Sequence, residues 1–210
     1  MNQGPQAPGG GLARPVPRPL TVGVLASQGD FAAHVEMLRS LDAEAVEVRT
    51  AADVAALDAL VIPGGESTTI TKAIERDDLA GAIHAHVASG RPLLGTCAGM
   101  IVCDREHLGL VDAVARRNAF GRQLASFEAD LEVRGLGPDP LRAVFIRAPW
   151  IEEHGPGVEV LASLYDHPVA IRQGPVVLAA FHPELTDDSR LHALLMAMAT
   201  TTREREAARP

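Results

Sequence analysis

The sequence predicts an α/β protein: a doubly wound three-layer sandwich with a mostly parallel central sheet, extended by antiparallel strands in the C-terminal half. Two observations lead to this prediction. In the first half, short apolar runs alternate with segments of helical periodicity, the pattern of parallel strands covered by helices. In the second half, short β-like runs follow one another with little helix between them, which favours antiparallel pairing.

The first half carries the predicted parallel strands. They are residues 20–26, 46–48, 59–62 and the run beginning at Pro92. The predicted helices are residues 31–41, a segment beginning near Thr69, 78–89 and 98–103, with a turn or short helix at 53–57. In a doubly wound sheet, ligands gather at the carboxyl edge of the strands. Gln28, the Gly64-Gly65 pair and Cys97 all follow strands and are expected at that edge.

The second half is predicted to add strands to the sheet. They are residues 110–115, 129–133, 142–146, 158–164, 168–172 and 176–181. A final helix is expected from Asp188 to about Met198, followed by a solvated charged end at residues 203–206.

Composition limits the classes of partner. The chain has 210 residues, 47% hydrophobic and 22% charged, which fits one globular domain. Its net charge of −8 argues against nucleic acid, and we expect no membrane span because no 18-residue apolar stretch occurs. Cys97 and Cys103 lack metal-ligand spacing, so we expect no metal, no disulfide framework and no cofactor, and a cytoplasmic location suits a free thiol.

Three segments are predicted along the chain. Residues 1–19 contain five Pro and four Gly and are expected to be a disordered extension. Residues 20–200 form the folded domain. Residues 201–210 form a charged tail.

Cys97 is the first candidate for a reactive group. It follows an apolar run, and glycines lie two positions before it and two after it, at Gly95 and Gly99. Small neighbours of this kind are typical of a sharp, strained turn from strand into helix. A thiol there lies at a helix N-terminus, where unpaired N–H groups favour the thiolate. The alternative is a buried core cysteine, which is our prediction for Cys103.

The loop Pro63-Gly-Gly-Glu-Ser-Thr68 is the second candidate. Adjacent glycines at a strand end let backbone N–H groups approach a ligand closely. The acidic Glu66 argues against phosphate, so a zwitterion or a neutral amide is the better ligand. A tight turn with no ligand role is the alternative.

The third candidate is His182-Pro183-Glu184, at the end of the last predicted strand. An imidazole there can take the proton of a nucleophilic thiol, and a carboxylate two residues later can fix its tautomer. Pro183 restricts the backbone between them. Alone, the triplet could be a surface turn. Together with the Cys97 elbow on the same edge, it gives the hypothesis of a Cys-His-Glu triad.

The chain resembles the triad class of glutamine amidotransferases, and within it the glutaminase subunits of pyridoxal 5′-phosphate synthase. Gly-x-Cys-x-Gly and His-x-Glu belong to the whole class, whereas Gly-Gly-Glu-Ser-Thr-Thr and Phe-Ile-Arg-Ala-Pro are typical of the subfamily. The matching segments are residues 24–29, His34, 63–69, 95–101, 117–118, 120–123, 126–131, 144–149 and 181–186.

The resemblance implies roles for single residues. Cys97 matches the nucleophile, His182 the general base and Glu184 its orienting carboxylate. The matches to glutamine-contacting positions are Gly65, Glu66, Ser67, Arg117, Ile146 and Arg147. A tetrahedral oxyanion would be held by the N–H groups of Gly65 and Ala98. Gln28 matches a residue of the strand-end turn that we associate with activation.

The resemblance also implies an activity and a partner. L-Glutamine would be hydrolysed to glutamate and ammonia through a glutamyl thioester. Ammonia would pass to a (β/α)8-barrel synthase subunit in a hetero-oligomeric complex that makes pyridoxal 5′-phosphate, vitamin B6. Residues 20–200 are then the glutaminase domain, with low activity expected for the isolated chain.

The sequence departs from the family pattern in two places, and two other functions stay open. The segment after Cys97 is short, which predicts a truncated helix or a lost loop, and the Pro/Gly-rich start is atypical. A noncatalytic, chaperone-like protein on the same fold would not need an oriented base such as His182. A cysteine hydrolase of peptides would not need arginines placed for a free α-carboxylate.

Overall fold

A computed structural model describes residues 18–121 and 126–208. The predicted disorder of residues 1–17, the Arg122-Gln123 part of one family motif and the last two residues of the predicted tail lie outside the described residues. Within those two ranges, the chain forms eleven strands, six α-helices and a 3₁₀ turn at Pro183–Leu185.

The strands and helices alternate through the first half and then give way to a run of strands. The strands are β1 Thr21–Leu25, β2 Glu44–Val48, β3 Ala59–Ile62, β4 Leu93–Thr96, β5 Ala113–Arg116, β6 Ser126–Leu131, β7 Leu141–Ile146, β8 Trp150–His154, β9 Glu159–Leu164, β10 His167–Gln173 and β11 Val176–Ala179. The helices are α1 Phe31–Ser40, α2 Ala51–Ala55, α3 Ser67–Arg76, α4 Ala80–Ala88, α5 Ala98–Cys103 and α6 Arg190–Ala207.

Seven strands form the central sheet, in the order β2-β1-β3-β4-β11-β10-β9. The first five are parallel to one another, while β10 is antiparallel to both of its neighbours. Every residue of β3, β4 and β11 is buried, as expected for strands covered on both faces. The predicted α/β fold class, with a mostly parallel sheet and antiparallel strands added in the C-terminal half, is confirmed.

Helices cover both faces of this sheet. The chain moves from β1 outward to β2 and then back past β1 to β3, so right-handed crossovers place α1 on one face and α2 to α4 on the other. Consistent with this, α2 packs on α4, and α1 contacts α6 through His34 and His192. The reversal of direction between β1 and β3 opens a crevice at their carboxyl ends, which is where ligands of such folds bind.

The second half differs from the prediction in its pairing. Not all of its strands extend the central sheet, because β5 pairs with β8, and β6 with β7, in two separate antiparallel ribbons. The last strand, β11, is parallel to β4, since the β10–β11 hairpin reverses the chain once more. Strand β8 was not predicted: its Glu152-Glu153 pair is exposed, so the run lacks a strong apolar signal.

Two helix ends also differ from the prediction. Helix α3 begins at Ser67, two residues before Thr69, because the Glu66 side chain caps it by accepting from the N–H groups of Thr68 and Thr69. Helix α6 continues to Ala207, so most of the predicted charged tail is helical. Its exposed end is held by Arg203, which donates to the carbonyl of Arg18 at 2.9 Å. None of the helices in the two described ranges is long and apolar enough to cross a membrane.

Candidate active site

Four neighbouring strands of the central sheet deliver the candidate residues to one edge. Gln28 follows β1, Gly64 and Gly65 follow β3, Cys97 follows β4, and His182 lies three residues after β11. Because these strands are parallel and adjacent in the order β1-β3-β4-β11, their carboxyl ends meet. Segments far apart in the sequence are thereby brought together.

Cys97 occupies a strained turn between β4 and α5. Its backbone has φ 46° and ψ −104°, a conformation that residues with a Cβ rarely adopt. Its N–H donates to the carbonyl of Ala179 at 2.8 Å, which fixes the turn against β11. A Cβ on Gly99 would overlap the carbonyl oxygen of Ile62, and one on Gly95 would lie 2.9 Å from the carbonyl oxygen of Gly99. The crowding predicted around a nucleophile elbow is therefore present.

His182 is oriented from two sides. Its backbone N–H donates to the carbonyl of Val144 on β7 at 2.9 Å, and its Nδ1 lies 2.7 Å from Oε1 of the buried Glu184. A carboxylate only accepts hydrogen bonds, so Nδ1 carries the proton and Nε2 is left to accept one. Burial lowers the pKa of His182, but the neighbouring Cys97 side chain and the Glu184 carboxylate outweigh burial and raise the pKa to about 10.

A cavity of about 190 Å³ lies at this edge and is open to the thiol and the imidazole. Nine of the eleven predicted site residues line it: Gly65, Glu66, Ser67, Cys97, Ala98, Arg117, Ile146, Arg147 and His182. The other two do not line the cavity but contact residues that do: Gln28 bonds to the Glu66 carbonyl, and Glu184 to His182. Their roles in catalysis and binding stay predictions, but the fold gathers all eleven around one space.

The Cys97 thiol has a second neighbour besides His182. Its Sγ atom lies 3.7 Å from the carbonyl oxygen of Ile146, at the end of β7. The next residue, Arg147, has a φ of 45°, so the chain turns sharply where it passes the thiol. Strand β7, which belongs to a ribbon outside the central sheet, therefore forms the wall of the cavity opposite the elbow.

Glu66 and Arg117 lie next to each other in the lining of the cavity. The Glu66 carboxylate caps α3, and its hydrogen bonds with the side chains of Thr69 and Thr68 lower its pKa to about 2. Arg117 lies 3.4 Å from this carboxylate and 3.4 Å from Oγ1 of Thr68. About half of each side chain is exposed, so the guanidinium remains accessible to an incoming anion.

Gln28 supports the glycine loop from below. Its Nε2 donates to the carbonyl of Glu66 at 3.0 Å, and the same nitrogen would lie 2.8 Å from a Cβ on Gly65. Gly65 has a φ of 142° and no side chain, and both features let the Gln28 amide approach this closely. Gln28 thus ties the end of β1 to the loop at Gly65 and Glu66.

Sequence reasoning missed some residues of the site. Ile101, Asn118 and Pro149 also line the cavity, although each lies beside a predicted residue or within a quoted motif. His192 carried no signal at all, and His34 only a family match without a role. Both lie buried beneath the triad residues.

The described residues contain no cluster of three or more His, Cys, Asp or Glu side chains that could hold a metal ion.

Helix α5 spans only six residues, in keeping with the truncated helix that the short segment after Cys97 predicts.

Comparisons with known proteins agree with the motifs. The model of the SNO glutamine amidotransferase family matches residues 24–201. Over 184 residues, the chain is 52% identical to the "Pyridoxal 5′-phosphate synthase subunit PdxT" of Parafrankia sp. (strain EAN1pec), an alignment covering 83% of this chain and 91% of the relative. The protein of the same name from Halorubrum lacusprofundi is 52% identical over 188 residues, covering 83% of this chain and 95% of the relative.

A solved structure described as a glutamine amidotransferase has a TM-score of 0.81 and 48% identity to this chain, and covers 85% of this chain and 98% of its own. The family resemblance predicted from the motifs is confirmed. On the match of the family model and the identity to these relatives, the chain belongs to the SNO glutamine amidotransferase family.

Proposed function

We propose that this chain is the glutaminase subunit of a pyridoxal 5′-phosphate synthase. It hydrolyses L-glutamine to L-glutamate and ammonia and delivers the ammonia to a synthase subunit for vitamin B6 biosynthesis. One observation carries the proposal: Cys97 and His182 open onto the same cavity, and Glu184 lies 2.7 Å from the far side of the imidazole. Family membership and the PdxT relatives support it.

Cys97 is the proposed nucleophile. The Glu184 carboxylate beside Nδ1 stabilises a protonated ring, so His182 can take the thiol proton and form a thiolate–imidazolium pair. The thiolate attacks the side-chain amide carbon of glutamine, and the tetrahedral intermediate collapses as the C–N bond breaks. The imidazolium gives its proton to the leaving nitrogen, which departs as ammonia.

The second half of the cycle restores the enzyme. His182, now neutral, takes a proton from a water molecule that attacks the glutamyl thioester. The C–S bond breaks, glutamate leaves, and the proton on the imidazole again balances the Cys97 thiolate. Throughout, Glu184 accepts from Nδ1, so Nε2 faces the reaction in both halves.

The oxyanion of each intermediate is assigned to the backbone N–H groups of Gly65 and Ala98. Both residues line the cavity beside Cys97, and Ala98 begins helix α5. One such donor contributes about 3 kcal/mol to transition-state stabilisation. The contact between Gln28 and the Gly65 loop supports a role for Gln28 in setting that donor's direction, and hence in activation.

Glutamine is recognised at its two charged groups. An arginine fork suits the α-carboxylate, and Arg117 and Arg147 both line the cavity. Backbone and side-chain acceptors suit the α-ammonium. The remaining residues proposed to contact glutamine are Gly65, Glu66, Ser67 and Ile146. Because the carboxylate of Glu66 already caps α3, it acts chiefly by holding Arg117 and the loop in place.

The proposed partner is a synthase subunit with a (β/α)8 barrel. Ammonia released into water at neutral pH would be protonated and lost as a nucleophile, so delivery within a complex is favoured. The chemistry described above uses side chains and backbone alone, without a cofactor. Both cysteines are unpaired thiols, which suits a reducing compartment such as the cytoplasm.

Glutamate release from glutamine tests the proposal. The parent chain and Cys97→Ala are each assayed with and without the synthase subunit, and the glutamyl thioester is sought by mass spectrometry. We expect rapid release only from the parent chain with its partner. Absence of both glutamate and thioester would overturn the enzyme assignment, and full activity of the isolated chain would overturn the dependence on a partner.

A further inference from the structure

Behind the triad residues lies a buried polar cluster that the proposed mechanism has not used. His34 on α1, Thr96 at the end of β4 and His192 on α6 are each 0% exposed. His34 Nδ1 lies 2.8 Å from Nε2 of His192, and His34 Nε2 lies 3.2 Å from the hydroxyl of Thr96. Burying three polar side chains is costly unless their hydrogen bonds are made, so the cluster calls for an explanation.

The cluster reaches the triad at Glu184. One carboxylate oxygen, Oε1, accepts from His182. The other, Oε2, has no well-aligned hydrogen bond among residues 18–121 and 126–208, but lies 3.2 Å from Nε2 of His34. Neither side chain of this pair is exposed to water. His34 is therefore the group that can share a proton with the free oxygen of the buried carboxylate.

The protonation of the two histidines determines which atom donates in each contact between Glu184, His34 and His192. Burial, and then the neighbouring His192 and His182, hold the pKa of His34 well below its usual range, so its ring is neutral and carries one proton. The Thr96 hydroxyl beside Nε2 can accept as well as donate, whereas a carboxylate can only accept, so the arrangement that serves both neighbours of Nε2 places that proton on Nε2. Nδ1 must then accept, and Nε2 of His192 must donate to it. The pKa of His192 is also lowered, to about 4, by burial, so His192 is neutral as well.

We infer that His34 is a positioning residue for the proposed triad, restraining the second oxygen of Glu184 while His192 fixes the tautomer of His34. The inference rests on the proposed function, in which Glu184 orients His182. His34 does not line the cavity, so it touches neither glutamine nor the thiol. Its effect passes through the charge and direction of Glu184.

Two amide variants separate this role from simple packing. In His34→Gln the amide nitrogen can occupy the place of Nε2 and still donate to Glu184. In His34→Asn the amide reaches only the place of Nδ1, so contact with His192 is kept and the donor to Glu184 is lost. The matched control is His86→Asn. His86 is another buried histidine, on α4, and its ring is hydrogen-bonded to the carbonyl of Pro92 at 3.1 Å.

The full chain is assayed for glutamine hydrolysis with its synthase subunit across a pH series. For His34→Asn we expect kcat to fall about ten- to a hundredfold, because the donor 3.2 Å from the charged oxygen is lost, with KM for glutamine within about twofold. The alkaline limit of activity should move down by about one pH unit, since a less restrained Glu184 stabilises the His182 imidazolium less well. His34→Gln and His86→Asn should keep the parent's limit.

A second readout needs no partner. The rate at which iodoacetamide alkylates Cys97 is followed against pH in the full chain for the parent, Glu184→Gln and the two His34 variants. Should Glu184→Gln leave this profile unchanged, the triad itself fails. Should Glu184→Gln move the profile while His34→Asn does not, only the inference about His34 fails. If His34→Asn does not fold, His34→Gln decides: a parent-like profile supports the donor role, and a displaced profile overturns it.

Discussion

The two ends of helix α5 carry the two cysteines of the chain, six positions apart, and the surroundings of the two thiols differ. Cys97, at the start, lines the same cavity as His182. Cys103, at the end, is fully buried in the hydrophobic core, and burial raises the pKa of its thiol well above the usual range. Position in the fold, rather than residue type, makes one thiol a candidate nucleophile and the other a packing group.

Replacing each cysteine in turn tests this contrast most strongly. Cys97→Ala should lower glutamine hydrolysis by about 10⁴-fold or more, because a nucleophile that acts as part of a unit cannot be replaced. Cys103→Ala should leave kcat within about twofold of the parent and lower the free energy of unfolding by about 1 kcal/mol, the cost of a small cavity. Glutamate release with the synthase subunit and urea unfolding measure the two effects. Comparable loss of activity in both variants would contradict the contrast.

The charge behind His182 is the second feature that separates the two thiols. Glu184→Gln should lower kcat about 100-fold, because the imidazole loses the partner that fixes its tautomer. The pKa of His182 is raised, so the imidazolium that protonates the leaving nitrogen persists well above pH 6.5 and is lost only as the pH rises through that raised value. Removing the carboxylate charge lowers this pKa, and the alkaline limit of kcat should move to lower pH. A limit that stays in place would show that another group controls it.

Sequence reasoning could predict the features that depend on local pattern. Glycines on both sides of Cys97 predict an elbow, and the short parallel strands place it at the ligand-binding edge. It could not find the contact between His34 and His192, whose partners are 158 positions apart and meet only because α1 and α6 cover the same face of the sheet. It also missed strand β8, because a ribbon with one side in water has a weak apolar period.

Accessibility gives a third test of the two ends of α5. In the folded chain, iodoacetamide should alkylate Cys97 about 100-fold faster than Cys103, because Cys97 lines a cavity that His182 also lines, whereas Cys103 is fully buried. Peptide mass spectrometry after timed labelling gives both rates. In denaturant the two rates should converge, which serves as the control. Equal rates in the folded chain would contradict the contrast, because they would mean that Cys103 is as accessible to the reagent as Cys97.

The glycine behind the elbow gives the smallest expected effect. Gly99→Ala should lower the free energy of unfolding by about 1–3 kcal/mol, because the new Cβ would overlap the carbonyl oxygen of Ile62. Gly81→Ala is the matched control: this glycine lies in α4, and a Cβ added to it would meet no atom within 4 Å, so the change should stabilise the helix by roughly 0.5–1 kcal/mol. Urea unfolding measures both. A Gly99→Ala variant more stable than the parent would show that the turn can accommodate a Cβ at this position.

At position 97 stability and reactivity favour different residues. The positive φ favours glycine, whereas the proposed reaction needs a thiol. A glycine there would relax the turn, since a residue with a Cβ in such a conformation costs about 1–3 kcal/mol. Cys97→Gly would therefore be more stable than the parent chain but would lack the proposed nucleophile. Cysteine at position 97 therefore makes the fold less stable to heat and to further mutation than glycine would. The same backbone conformation directs the sulfur away from the main chain and toward the cavity.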